Sequence, residues 1–214
     1  MKKIKIRVGN LHKTFREEEV LKGITCDFEA GKTHAIVGNN GSGKSVLFKC
    51  ICGFIKPTEG TITIDDKVIG KDVDFPESMG MIIERPGFLP NMSGFRNLKL
   101  LAEIQGKITD TGIRNTISRV GLDPDSKKAV AKYSLGMKQR LGIAQAIMED
   151  PELLILDEPF NGLDKQGAGE VCELLRGLKE RGKTILIAAH NMLEIEWLCD
   201  TICEMDAGVL TQIK

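Results

Sequence analysis

The run Gly38-Asn39-Asn40-Gly41-Ser42-Gly43-Lys44-Ser45 brings together the residue types that an anion cradle needs. Glycines at 38, 41 and 43 let the main chain wrap tightly, so that successive N–H groups, those of Asn39, Asn40, Ser42 and Val46 among them, point at phosphate oxygens. Lys44 has the reach for the outer phosphates of a nucleoside triphosphate, and Ser45 offers a hydroxyl to Mg²⁺. A helix starting at Lys44 would add the positive end of its dipole. A glycine-rich turn that only joins a strand to a helix is the plain alternative. The surroundings favour the cradle. His34–Val37 reads as an apolar strand before it, and Val46, Leu47 and Cys50 can face a core from the helix after it.

Leu153-Leu154-Ile155-Leu156-Asp157-Glu158-Pro159 is the second informative run. Four apolar residues predict a strand buried on both faces, as in the middle of a parallel sheet, and it ends in two carboxylates. Side chains alternate along a strand, so Asp157 and Glu158 cannot share one task. One can steady Mg²⁺ while the other orients and deprotonates an attacking water. Thr184–Ala189 predicts another central strand, which delivers His190 beside them. Met81-Ile82-Ile83 predicts a short strand that ends at Glu84, before Arg85-Pro86-Gly87.

These strand ends must be held by a scaffold. Lys3–Val8 alternates charged and apolar residues, the mark of a half-buried strand, and a second strand is expected near Gly23–Phe28. The intervening polar stretch carries Phe15, whose ring fits either packing or stacking on a nucleotide base. Pro57–Gly60 predicts a turn, and Thr61–Ile64 with Lys67–Ile69 a hairpin around Asp65-Asp66. From about Asn91 to Asp150 three helical segments are expected, punctuated by Gly106, Gly121 and Pro124. The third starts at Ser134, a plausible N-cap. Gly136 lies in its first turn, where glycine costs about 1 kcal/mol against alanine. A close backbone approach to a ligand would account for it. A further helix is expected over Val171–Leu178.

The chain has 214 residues, with 30 Lys and Arg balanced by 30 Asp and Glu. That is enough for one α/β domain with its own core, and no global basic field exists to hold nucleic acid. No apolar run approaches the roughly 20 residues that span a bilayer, and the first ten residues lack the apolar core of a signal peptide. A cytosolic chain is expected. The six cysteines read as buried thiols: Cys50 and Cys52 point to different faces of one helix, and nothing completes a tetrahedral site around Cys199 and Cys203.

With these runs in this order, the whole chain resembles the nucleotide-binding domain of ABC ATPases. In that resemblance Gly38–Ser45 is the P-loop and Glu84 stands at the glutamine-loop position. Tyr133–Arg140 matches the signature, Leu153–Glu158 the Walker B strand, Asn161–Asp164 the D-loop, and His190 the switch histidine. Phe15 matches the base-stacking aromatic. The signature here reads Tyr133-Ser134-Leu135-Gly136-Met137 where the family usually has Leu-Ser-Gly-Gly-Gln. That wording, with Glu84, is similar to the ATPases of bacitracin- and lantibiotic-type export and self-immunity systems. The resemblance implies an α/β P-loop NTPase fold with a mainly parallel central sheet, an N-terminal antiparallel β-subdomain and an inserted helical subdomain. One domain spans 1–214, with residues 1–87 and 151–214 as the core and 88–150 as the helical insert. It also implies a site for ATP and Mg²⁺. Lys44 and the loop amides take phosphate, and Ser45, Asp157 and Glu84 the metal. Glu158 is the general base, His190 meets the γ-phosphate, and Ser134 with Gly136 act on a partner's nucleotide. The implied assembly is a head-to-tail dimer on the cytosolic face of the membrane, driving a separate permease, with no nucleic acid involved. A non-transport ABC ATPase that remodels a cytosolic assembly is the other reading of the same residues.

Overall fold

The computed structural model describes residues 5–84, 86–190 and 195–214. Lys3, Ile4 and Arg85, named above, lie outside them. Two sheets organise the chain. Strands β1 (Ile6–Phe15), β2 (Glu18–Phe28), β4 (Glu59–Ile64) and β5 (Lys67–Val68) form an antiparallel sheet in the order β2-β1-β4-β5. The second sheet runs β10-β9-β3-β8-β7-β6 and comprises β3 (Thr33–Val37), β6 (Met79–Ile82), β7 (Leu153–Asp157), β8 (Thr184–Ala189), β9 (Thr201–Asp206) and β10 (Val209–Gln212). All its neighbours are parallel except β10 against β9.

The alternation in the strand sequences is what divides the core. Leu153, Ile155, Leu186 and Ala188 pack with the first sheet and with helix α1 (Lys44–Ile51). Leu154, Leu156, Ile185 and Ile187 pack on the opposite face with α2 (Gly94–Gln105), α3 (Asp110–Arg119), α4 (Leu135–Ile147) and α5 (Lys165–Glu180). Central strands covered on both faces read as unbroken apolar runs. The helices α2 to α4 thus share one apolar cluster with the sheet.

Local chemistry sets the element boundaries. The Asp65-Asp66 turn has φ of 48° and 65°, the left-handed pair that a two-residue hairpin requires. Ser93, Thr109, Ser134 and Asp164 cap α2, α3, α4 and α5 by accepting from the main-chain N–H three residues on. Two expectations change. The expected loop around Phe15 is a tight hairpin: β1 runs to Phe15, Arg16 adopts φ 55°, and β2 already starts at Glu18. The expected turn at Pro57–Gly60 is half strand, because Glu59 pairs with His12. Gly60 has φ 85°, and a Cβ there would meet the Asn10 carbonyl at 2.2 Å, so its role is to let β4 pass close to β1. Among the described residues no helix is long and apolar enough to cross a membrane.

His34, on β3, is fully buried beside Phe28. Its Nε2 lies 2.8 Å from the Glu29 carbonyl and must donate there; in the neutral ring Nδ1 then accepts from the Thr201 hydroxyl at 2.7 Å. Burial holds its pKa below the ordinary value, outweighing the bond to Glu29. On acidification the unfolded chain therefore protonates first. Stability is intact above the unfolded value of roughly 6.5 and falls, by up to about 1.4 kcal/mol per pH unit, as pH drops from there through the folded value. Thermal unfolding followed from pH 7.5 to 5 should show a smaller loss of Tm for His34→Gln than for the native chain. Equal slopes would mean that His34 does not titrate on unfolding.

Candidate functional site

Register places the site. Val37 of β3 pairs with Ala189 of β8, and Asp157 of β7 pairs with Ala188, so three neighbouring strands end within one residue of the same level. The next residues, Gly38, His190 and Glu158, therefore leave the sheet side by side. This is the sheet edge at which open α/β folds collect ligands.

The 38–45 loop is bent as its glycines allow, with φ of 81° at Gly41 and 111° at Gly43. Gly38 lies so close to β9 that a Cβ would stand 2.2 Å from the Met205 carbonyl. Helix α1 opens without a side-chain cap, whereas α2, α3, α4 and α5 each have one. Its first N–H groups are thus left for an external acceptor. Lys44 is buried, and its Nζ donates to the carbonyls of Gly38 (2.7 Å) and Asn39 (3.0 Å), which hold the cation over the loop. The Ser42 hydroxyl is buried with no protein partner. The loop suits a phosphate chain on each of these counts.

Ser45 Oγ donates to Asp157 Oδ2 at 2.6 Å, bridging α1 and β7. Burial raises the Asp157 pKa, the Glu158 charge adds to this, and the Ser45 bond, Lys44 and the Glu84 N–H oppose it. A hydroxyl and a carboxylate are the hard oxygen donors that suit Mg²⁺, which draws the rest of its shell from phosphate and water. The pair fits that ion. Glu84 follows β6 with φ 59°, and its carboxylate is paired with Lys49 of α1. Glu158 also has positive φ, 52°, and its Oε2 lies 2.7 Å from His190 Nδ1. Helix α1, β6 and β7 thus surround one cleft of about 760 Å³. Asn40, Gly41, Gly43, Lys44, Ser45, Val46, Glu84, Asp157 and Glu158 all line it.

Of the residues expected at the site, Phe15, Gly38, Asn39, Ser42, Ser134, Gly136 and His190 do not line that cleft. Phe15 ends β1, half-exposed, with the Lys13 ammonium 4.8 Å from its ring centre. The Ser134 hydroxyl accepts from Met137 N–H at 3.2 Å. For Gly136 the close backbone approach comes from within the chain, since a Cβ there would be 2.8 Å from the Gly162 carbonyl. Val20 lines the cleft without having been named in the sequence, and Leu135, Gln139 and Asn161, named there only as members of the signature and D-loop matches, line it too. Lys49 was missed too. Helical spacing carried a signal for two of them: Lys49 is four residues after Ser45, and Gln139 four after Leu135, each on the same helix face. All six cysteines are free thiols. Burial pushes Cys50 up to about 11 and Cys52 and Cys199 up to about 12, which keeps them protonated and poor metal ligands. Among the described residues no three His, Cys, Asp or Glu side chains converge on a metal position.

The family model described as ABC transporter matches residues 21–161. The ABC transporter ATP-binding protein YybJ of Bacillus subtilis (strain 168) is 46% identical over 96% of this chain and 94% of its own length. The bacitracin transport ATP-binding protein BcrA of Enterococcus faecalis is 41% identical over 97% of this chain and 68% of its own. Among solved structures, cbiO1 from Clostridium perfringens, part of the ABC transporter complex cbiONQ, is 31% identical. It superposes with a TM-score of 0.82 over 98% of this chain and 87% of that one. The level strand ends, the uncapped loop and these likenesses agree: the chain belongs to the ABC transporter family, as an ATP-binding subunit that hydrolyses ATP with Mg²⁺.

Proposed function

We propose that this subunit works as a head-to-tail dimer with two shared ATP sites and drives a separate membrane permease that exports a peptide antibiotic. The observation that carries the shared site is that Ser134 and Gly136, on either side of Leu135 at the start of α4, do not themselves line the cleft that Lys44 lines in the same chain. A helix start has main-chain N–H groups to offer an anion, and a second copy can bring a phosphate to it. The division of labour within each site follows the geometry. Lys44 and the amides of residues 38–46 bind the phosphates and fix their orientation. Ser45 and Asp157 hold Mg²⁺, which supplies charge stabilisation at the phosphates when bound.

Glu158 accepts the proton of the attacking water, and His190 holds its carboxylate in place at 2.7 Å. Glu84 contributes a further oxygen beside them, its charge balanced by Lys49. Residues 88–150 act as a helical insert that meets the permease, with residues 1–87 and 151–214 as the catalytic core. Phe15 stacks on the base from the end of β1. The chain sits on the cytosolic face of the membrane through that permease, without nucleic acid.

The bacitracin transport relative supports the substrate class. Purified from detergent-solubilised membranes, the chain should bring with it a multi-span protein, and cells lacking either should become more sensitive to a peptide antibiotic. Recovery of a soluble scaffold protein instead would point to the remodelling role. The shared site has its own test. Lys44→Ala and Ser134→Arg proteins should each be inactive, yet mixing them should restore single-turnover hydrolysis, because the mixed dimer holds one intact site. Ser134→Arg also removes an N-cap, at a cost of about 1 kcal/mol, so its fold is checked by thermal unfolding. No recovery, with mixed dimers demonstrated by crosslinking, would rule the shared site out.

A further inference from the structure

We infer that Gln139 is a positioning residue for Glu158, through which the start of α4 sets the aim of the catalytic carboxylate. The inference rests on the reading of Glu158 as the general base. Gln139 is 7% exposed, one turn into the helix that Ser134 caps, and its Nε2 donates to the main-chain carbonyl of Glu158 at 3.1 Å. The residue it grips is unusual. Glu158 sits at φ 52°, a region that a residue with a side chain keeps only when its surroundings over-determine it.

Three hydrogen bonds fasten its peptide groups. Glu158 N–H donates to the Ala188 carbonyl at 2.9 Å, its own carbonyl accepts from Asn161 N–H at 3.2 Å, and Gln139 supplies the third. The first comes from the neighbouring strand and the second from the following turn. Only the Gln139 bond reaches Glu158 from α4. The same helix start is also keyed to the turn beyond Glu158. A Cβ on Gly136 would stand 2.8 Å from the Gly162 carbonyl, and one on Gly162 would stand 2.5 Å from Leu135 Cγ. A shift of the α4 start therefore pulls on the Glu158 carbonyl and turns the side chain that leaves the same Cα. General-base catalysis needs the carboxylate within hydrogen-bond reach of the water, so a small misplacement is costly.

The test uses the full chain with Gln139→Met, which keeps the length and loses the donor, and Gln139→Leu, which also loses the donor and adds no charge to the cleft. Each is made in the native chain and in Glu158→Gln, and single-turnover ATP hydrolysis, ATP affinity and Tm are measured. In the native chain both variants should slow hydrolysis on the order of 10- to 100-fold while ATP affinity is unchanged. In the Glu158→Gln chain, where the base is already gone, neither should slow the residual rate further. Equal losses in both backgrounds, or a loss of affinity or fold that matches the loss of rate, would show that Gln139 acts through the fold or the nucleotide and would overturn the inference. Native rates in both variants would do the same. Near-native turnover in Glu158→Gln alone would remove the base assignment, and the positioning role with it.

Discussion

The parallel register of β3, β8 and β7 is the constraint on which the rest depends. Val37 level with Ala189, and Ala188 level with Asp157, bring Gly38, His190 and Glu158 out of the sheet together. A slip of one residue in either ladder would turn every side chain of a strand to the other face. It would exchange Leu154 and Leu156 for Leu153 and Ile155 in two differently shaped cores. The buried apolar area on both faces therefore protects the alignment of the site, although Leu153, Leu154, Ile155 and Leu156 do not line the cleft.

What stands on this platform is held by polar contacts that give up local comfort for aim. Glu84 and Glu158 both adopt left-handed backbone, which costs of order 1 kcal/mol or more for residues with a side chain. Each is the first or second residue after its strand, so the strain sits where the chain turns to face the cleft. Buried Lys44 is held on two carbonyls of its own loop, and Ser45 is held on Asp157. The cation and both proposed metal donors are thus preorganised, which avoids reorientation when charge arrives. The Glu84–Lys49 pair brings a compensating charge to a carboxylate that would otherwise face phosphate unbalanced.

Much of this was legible in the residues. Apolar runs ending in Asp157-Glu158 and His190, and the glycines of the 38–45 loop, encode strand ends and a tight turn directly, because burial and backbone freedom are local properties. The extent of β1 was not legible. Its alternation breaks at Gly9 and Asn10, where the ladders shift register, so Leu11 faces the core out of phase. Gly136 was read as making room for a ligand, whereas its neighbour is the Gly162 carbonyl, a contact that only the folded chain brings together. Gln139 was passed over for the same reason: a buried amide in a helix gives no sign of which carbonyl it meets. Contacts between distant segments are what pattern reading lacks.

The central claim is that the level strand ends and the 38–45 loop form the phosphate site. It is tested most directly by a structure of this chain with Mg²⁺ and a non-hydrolysable ATP analogue. The account predicts the outer phosphates within hydrogen-bond reach of the loop amides and Lys44 Nζ, with the metal on Ser45 and Asp157 and Glu158 facing the last phosphate. A nucleotide bound elsewhere, or one whose phosphates miss the loop, would contradict it.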